Sequence, residues 1–190
     1  MDSRQTYFTH KLKRHFDGEK LSKAVDRVIE NQDRYYFLLR STKEPGIEDF
    51  ISSIHKSNFF TAHSYSHHHY ATGLVEHSLG VYDQMVRMTK NEGYSLNPND
   101  IILVGLLHDV CMGHNDEWKS LEGRHGEKSA NIAKKYLPNI SDDIYEAIRY
   151  HRHDPSPEST NRNPLWYLVR RSDKADAATS PRDTLKFMQI

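Results

Sequence analysis

The chain has 190 residues, enough for one domain with a proper core and too few for two full ones. Lys and Arg (26) balance Asp and Glu (26), so net charge argues neither for nor against a nucleic-acid partner. A single cysteine, Cys111, excludes an internal disulfide and a cysteine-ligated structural zinc site, and it suits a reducing compartment.

The N-terminal MDSRQTYFTHKLKRHF is charged and lacks the apolar core of a signal peptide. No run approaches the roughly 20 apolar residues of a membrane span. The expectation is a cytoplasmic protein with no membrane partner. The 13 histidines supply the commonest metal ligand in quantity.

Residues 1–18 are polar and basic with scattered aromatics and carry no firm pattern. From Glu19 to Arg40, Leu21, Val25, Val28, Gln32, Tyr35 or Tyr36, and Leu39 step by three and four, which predicts an amphipathic helix. The cluster Tyr35-Tyr36-Phe37 reads as core packing rather than a base-stacking platform. Pro45-Gly46 breaks the chain, and Ile47–Lys56 reads as a short helix. In Asn58–Ala71, His63, His67, His68 and His69 fall in a polar, aromatic loop. Such a loop is either simply solvated or lines the mouth of a site where imidazoles meet phosphate oxygens. Gly73–Glu92 then predicts a strong helix with Leu74, Val81, Met85 and Met88 on one face, and His77 on that same face.

Ile101–Gly113, IILVGLLHDVCMG, is the most apolar stretch of the chain. Asn97 can cap its helix, Pro98 suits the first position and Gly113 is a plausible stop. With Ile101, Ile102, Val104, Leu106 and Leu107 on all sides, the helix is expected to be buried nearly all round. His108-Asp109 at its end would then be drawn out of water, where they need partners or a metal.

In the loop Asn115–Gly123, Trp118 reads as a plug over the core, with a lid as the other option. A helix from Arg124 or His125 to Leu137 aligns His125, Ser129, Ile132 and Tyr136, and Pro138 ends it. Ser141 caps the next helix, where His151 follows Ile144, Ala147 and Ile148 on one face. Pro164 opens the last helix; Leu165, Leu168 and Val169 face inward, Asp173 continues that face and Asp176 lies a further turn along. Internal repeats, low-complexity segments and strand alternation are all missing, so the fold class is an all-α bundle.

Chance alone gives about one His-Asp pair in a chain of this composition; there are two. His153-Asp154 precedes a proline in a polar loop and reads as surface, whereas His108-Asp109 ends an apolar helix. His77, His108, Asp109, His125, His151 and Asp173 come from five predicted helices, each on or at the end of an apolar stripe. A shared metal centre lets these buried polar groups answer one another. Mixed imidazole and carboxylate ligation suits Mn, Fe, Co, Ni or Zn. Six ligands are too many for one tetrahedral ion; they suit two ions bridged by Asp109, or one ion with the remaining histidines facing substrate. Either would serve phosphoester hydrolysis.

The order His77, His108-Asp109, Asp173 resembles the HD superfamily of metal-dependent phosphohydrolases, over roughly Ser57 to Ala178. HHHYATGLVEHSLGVYD (His67–Asp83) is similar to the opening of the HD domain in bacterial 3′–5′ exoribonucleases and in small HD hydrolases. His125 in RHGEKSA and His151 in AIRYHRH resemble the extra histidines of binuclear members, such as HD-type diadenosine tetraphosphate hydrolases and cyclic-dinucleotide phosphodiesterases. The resemblance implies a core of about five helices (57–180), with residues 1–56 as an N-terminal helical extension and 181–190 as a tail. It implies that His77, His108, Asp109 and Asp173 hold a first divalent ion, that Asp109 bridges, and that His125 and His151 hold a second. His108 and Asp109 would be catalytic, and Arg124, Lys128, Arg152, Lys174, His68 and His69 would meet the substrate. The sequence departs from the family in Val110-Cys111-Met112-Gly113, where many members carry a lysine after the dyad. It also has Arg152 where some phosphodiesterases have a second histidine, and residues 1–56 are too short and too helical for the OB-fold of the exoribonucleases.

The implied activity is hydrolysis of a nucleotide or small phosphoester by metal-activated water. The alternatives are a 3′–5′ exonuclease on single-stranded nucleic acid and a non-catalytic nucleotide-binding HD domain. Homo-oligomerisation is left open.

Overall fold

The computed structural model describes residues 3–64, 67–119, 121, 124–152 and 163–179. These contain eight α-helices, two short 3-10 turns and no strand, so the all-α expectation holds. The helices are α1 (Ser3–Leu12), α2 (Gly18–Ser41), α3 (Ile47–His55), α4 (Gly73–Glu92), α5 (Pro98–Leu107), α6 (His125–Tyr136), α7 (Asp142–Tyr150) and α8 (Pro164–Thr179). Residues 1–18, patternless in sequence, supply α1, which buries Phe8 and Leu12. The second His-Asp dyad and the 181–190 tail lie outside the described residues.

α5 is the axis of the bundle. The Asn97 side chain accepts a hydrogen bond from the Asn99 N–H at 3.0 Å, and Pro98 needs no partner in the first turn. Every residue from Ile101 to Leu107 is buried, because α2, α4, α6, α7 and α8 all pack against it. Each of its large aliphatic side chains gains about 1.5–3 kcal/mol by leaving water, which anchors the position of whatever follows.

The helix stops at Leu107, six residues before the expected Gly113. Its last carbonyls find other donors. The Tyr35 hydroxyl on α2 donates to the Leu106 carbonyl at 2.8 Å, and His108 Nδ1 donates to the Gly105 carbonyl at 2.9 Å. Asp109 then takes φ −114°, ψ 14° and the chain runs into a 3-10 turn, Val110–Gly113. That bend lies near the sparsely populated bridge region between helix and strand. It leaves His108 and Asp109 at the end of a rigid, buried rod.

α2 ties the first 56 residues to this core. Tyr35 is fully buried against Phe59 and Phe60. Its neighbour Phe37 is 72 % exposed, so the aromatic cluster is only partly core. Trp118 is buried and donates from Nε1 to Ser53 Oγ at 3.2 Å. It is the plug, not a lid. No helix among the described residues is long and apolar enough to cross a membrane.

Candidate metal centre

The ends and inner faces of α4 to α8 meet at Asp109, whose side chain is only 6 % exposed. Its two oxygens face different partners. Oδ2 lies 3.7 Å from His77 Nε2 and 3.8 Å from His108 Nε2. Oδ1 lies 3.3 Å from His151 Nε2 and in direct contact with His125 Nε2. On the Oδ2 side, His77 Nε2 is 3.2 Å from His108 Nε2 and 3.3 Å from Asp173 Oδ1.

Hydrogen bonds set the direction of each ring. His77 Nδ1–H donates to Asp176 Oδ2 at 2.7 Å, His108 Nδ1–H to the Gly105 carbonyl, and His151 Nδ1–H to the Ile148 carbonyl at 2.7 Å. In each ring the remaining nitrogen, Nε2, turns inward. His151 Nε2 is buried without a hydrogen-bond partner. Bare nitrogens facing each other and two carboxylates are an arrangement that a cation satisfies. Two atoms each about 2.1 Å from one ion lie about 3–4 Å apart, and the separations around Asp109 and His77 fall in that interval apart from the closer His125 contact. Three groups of side chains are close enough to hold an ion: His77, His108 and Asp109; Asp109, His125 and His151; and His67, His68 and His77.

Electrostatics agree. Burial would raise the Asp109 pKa, but the surrounding imidazoles, with His125 in direct contact, hold it well below the usual carboxylate range. Asp173 is likewise pushed up by burial and drawn down to about 2 by the His77 hydrogen bond and the charges of His108 and His77. Burial would lower His77, yet hydrogen bonds to Asp173 and Asp176 and the charge of Asp109 raise it to about 9. For His125 the charge and hydrogen bond of Asp109 overcome burial and raise the pKa to about 10. His108, dominated by burial, falls to about 4 and stays neutral. Without a cation the carboxylates therefore recruit protons onto His77 and His125.

The HD domain profile matches residues 74–180 of this chain, which carry all of His77, His108, Asp109, His125, His151 and Asp173. The chain belongs to the HD family of metal-dependent phosphohydrolases. It is similar to the dihydroneopterin 2′,3′-cyclic phosphate phosphodiesterase of Methanocaldococcus jannaschii, 26% identical over 180 residues that cover 88% of this chain and 67% of that protein. No solved structure gives a significant match.

The HD ligand positions named from the sequence, His77, His108-Asp109 and Asp173, meet within the distances given, as do His125 and His151. The substrate set is more dispersed. His68 is buried beside the centre, with Nε2 3.6 Å from Asp176 Oδ2. His69 is exposed, its ring tilted 42° to that of His63 with centroids 6.3 Å apart. Arg124 is exposed at the N-cap of α6, Lys128 half-buried one turn on, and Arg152 and Lys174 exposed beside His151 and Asp173. Of the other nearby arginines, Arg149 pairs with Glu127 at 2.5 Å and Arg171 with Glu92 at 2.6 Å.

Two residues at the centre stand outside the ligand and substrate sets drawn from the sequence: Asp176 has no role there, and His67 is one of four loop histidines that read as solvated or as lining the mouth of a site. Asp176 orients His77, and His67 lies with its ring centroid 4.3 Å from that of His77. Asp176 follows Asp173 by three, the spacing that puts two residues on one helix face, and this was the available signal.

Proposed function

We propose that this protein hydrolyses a small phosphodiester or nucleotide-like phosphoester at a two-ion centre. His77, His108, Asp109 and Asp173 would hold one ion, and Asp109, His125 and His151 the other. The observation that carries the reading is the division of Asp109: one oxygen toward His77 and His108, the other toward His125 and His151. A carboxylate that addresses two imidazole sets with two different oxygens suits a bridge better than a single site. The donors, all imidazole and carboxylate, suit Mn, Fe, Co, Ni or Zn.

Divalent ions held there lower the pKa of water and neutralise phosphoryl oxygens, which is the chemistry that phosphoester hydrolysis needs. The protein supplies position and charge. Asp109 stays ionised and would orient the attacking water. His108, kept neutral by burial, stays fixed on the end of α5 through the Gly105 carbonyl. Arg124, Lys128, Arg152 and Lys174 border the centre in sequence and supply positive charge for the phosphate. Residues 1–56 act as a helical extension that braces the HD core, since Tyr35 closes the end of α5.

The phosphodiesterase named above supports a phosphodiester as the bond cleaved. A long polynucleotide fits less well, because the basic residues taken to border the centre, Arg124, Lys128, Arg152 and Lys174, suit one short phosphate chain rather than a strand of several nucleotides. The test is turnover by the Mn-loaded protein of four substrates side by side: a 2′,3′-cyclic nucleotide, a nucleoside monophosphate, a dinucleoside polyphosphate and a labelled single-stranded oligonucleotide. Turnover confined to the small esters is expected. Stepwise 3′ shortening of the oligonucleotide with the small esters untouched would make the protein an exonuclease, and tight nucleotide binding with no turnover would make it a sensor.

A further inference from the structure

The loop before α4 is held in a costly shape. His68 has φ +51° and Thr72 φ +80°, both in the left-handed region, and neither residue is glycine. The His68 carbonyl accepts the Tyr70 N–H at 2.8 Å and the Ser64 N–H at 3.4 Å. Gly73 brings the start of α4 so near that carbonyl that a Cβ would sit 2.2 Å from its oxygen. The loop is thus clamped against α4, and what it presents to the centre is His67 and His68.

The loop leaves one nitrogen of His67 facing the centre. Asp176 Oδ2 accepts from His77 Nδ1 and lies 3.6 Å from His68 Nε2. His67 Nδ1 lies 3.1 Å from His68 Nδ1, so one ring donates to the other there. His67 Nε2 lies 3.9 Å from Asp173 Oδ1, the oxygen that also faces His77 Nε2 at 3.3 Å, and His67, His68 and His77 are close enough together to hold an ion. In His77, His108 and His151 too, Nδ1 is engaged by a fixed neighbour and Nε2 points inward.

We propose that His67 is an additional ligand, through Nε2, of the ion held by His77, His108, Asp109 and Asp173, with His68 and Asp176 positioning it. This rests on the metal-centre reading above. His67 lies outside the residues matched by the family profile. The consequence would be a first ion held by one more protein ligand than the four helix-borne residues supply.

The experiment strips the full-length protein with a chelator and titrates it with Mn(II) and, separately, Co(II). Affinity is read by competition with a chelating dye, stoichiometry by elemental analysis, and coordination by the visible spectrum of the Co(II) form. Three variants are compared with wild type: His67→Ala; His67→Asn, which keeps a donor for His68 but has nothing in place of Nε2; and His69→Ala, a change at an exposed ring. Melting of the stripped forms checks folding. Both His67 variants are expected to bind the first ion at least tenfold more weakly, with an altered Co(II) spectrum, and His69→Ala to match wild type. Wild-type affinity and spectrum in His67→Asn would overturn the proposal and leave His67 a substrate or packing contact, with the metal centre intact. Wild-type protein that takes up no ion would overturn the metal centre itself.

Discussion

Gly80→Ala tests the link between helix packing and metal binding without touching a ligand. Gly80 on α4 faces Asp176 on α8, and a Cβ there would lie 2.0 Å from Asp176 Oδ1 and 2.8 Å from its Cγ. Ordinary contact needs about 3.5 Å, so the carboxylate must retreat by about 1.5 Å. The 2.7 Å hydrogen bond from His77 Nδ1 then stretches beyond the range in which it counts as one. Leaving that buried donor unanswered costs about 1–3 kcal/mol, while replacing glycine by alanine inside a helix returns about 1 kcal/mol. The metal-free protein should therefore lose no more than about 2 kcal/mol in urea unfolding. The metal affinity should fall by about 10–100-fold, because His77 loses the partner that aims it. The two measurements separate cause from general damage. Asp176→Ala should weaken binding to a similar degree, and Gly80→Ala added to it should do little more, since both remove one contact. Metal affinity within threefold of wild type in Gly80→Ala, or additive losses in the double variant, would refute the orienting role of Asp176.

Three other outcomes are expected. Asp109→Ala should abolish turnover and metal retention together, and it should lower the melting temperature measured with added metal more than that measured without; turnover persisting at even a tenth of wild type would remove Asp109 from the centre. His151→Ala should cut metal content by up to half while leaving the first ion bound, as elemental analysis after dialysis will report, and unchanged stoichiometry would assign His151 to packing or substrate contact. The metal-free protein should become less stable from near neutrality to about pH 10: His77 and His125 titrate at about 9 and about 10 when folded, against an ordinary value near 6.5, so the stabilisation is complete below 6.5 and vanishes as pH rises through the folded values. By the same token ion uptake at pH 7 should displace protons and tighten as pH rises, and calorimetry in buffers of different ionisation heat showing no proton release would contradict it.

How much of this was legible before the fold depended on what kind of signal each residue leaves. Periodicity marks residues on a buried helix face, and it found His77, His108, His125, His151 and Asp173 because each continues an apolar stripe. It also located both ends of α4, Gly73 and Glu92, and the buried nature of α5. It placed the end of α5 six residues late, since the stop is set by tertiary donors. Tyr35 comes from α2 and lies 71 residues from Leu106, a relation no local pattern encodes. α1 was illegible for a related reason: Phe8 and Leu12 form an i, i+4 pair within a strongly polar segment, too little to fix a period.

The residues that escaped are those whose role is relational. Asp176 looks like one more carboxylate on the last helix until Gly80 is seen to leave room for it beside His77. Four histidines in a polar loop could not be ranked from the sequence, since a loop has no period. The backbone ranks them: the left-handed turn at His68 and the close approach of Gly73 send His67 and His68 inward and leave His63 and His69 outside. Strain of this kind persists only where surrounding contacts enforce it, and here those contacts converge on the side chains that face the carboxylates. The loop therefore brings His67 and His68 to the same carboxylates, Asp173 and Asp176, that the helix-borne His77 faces.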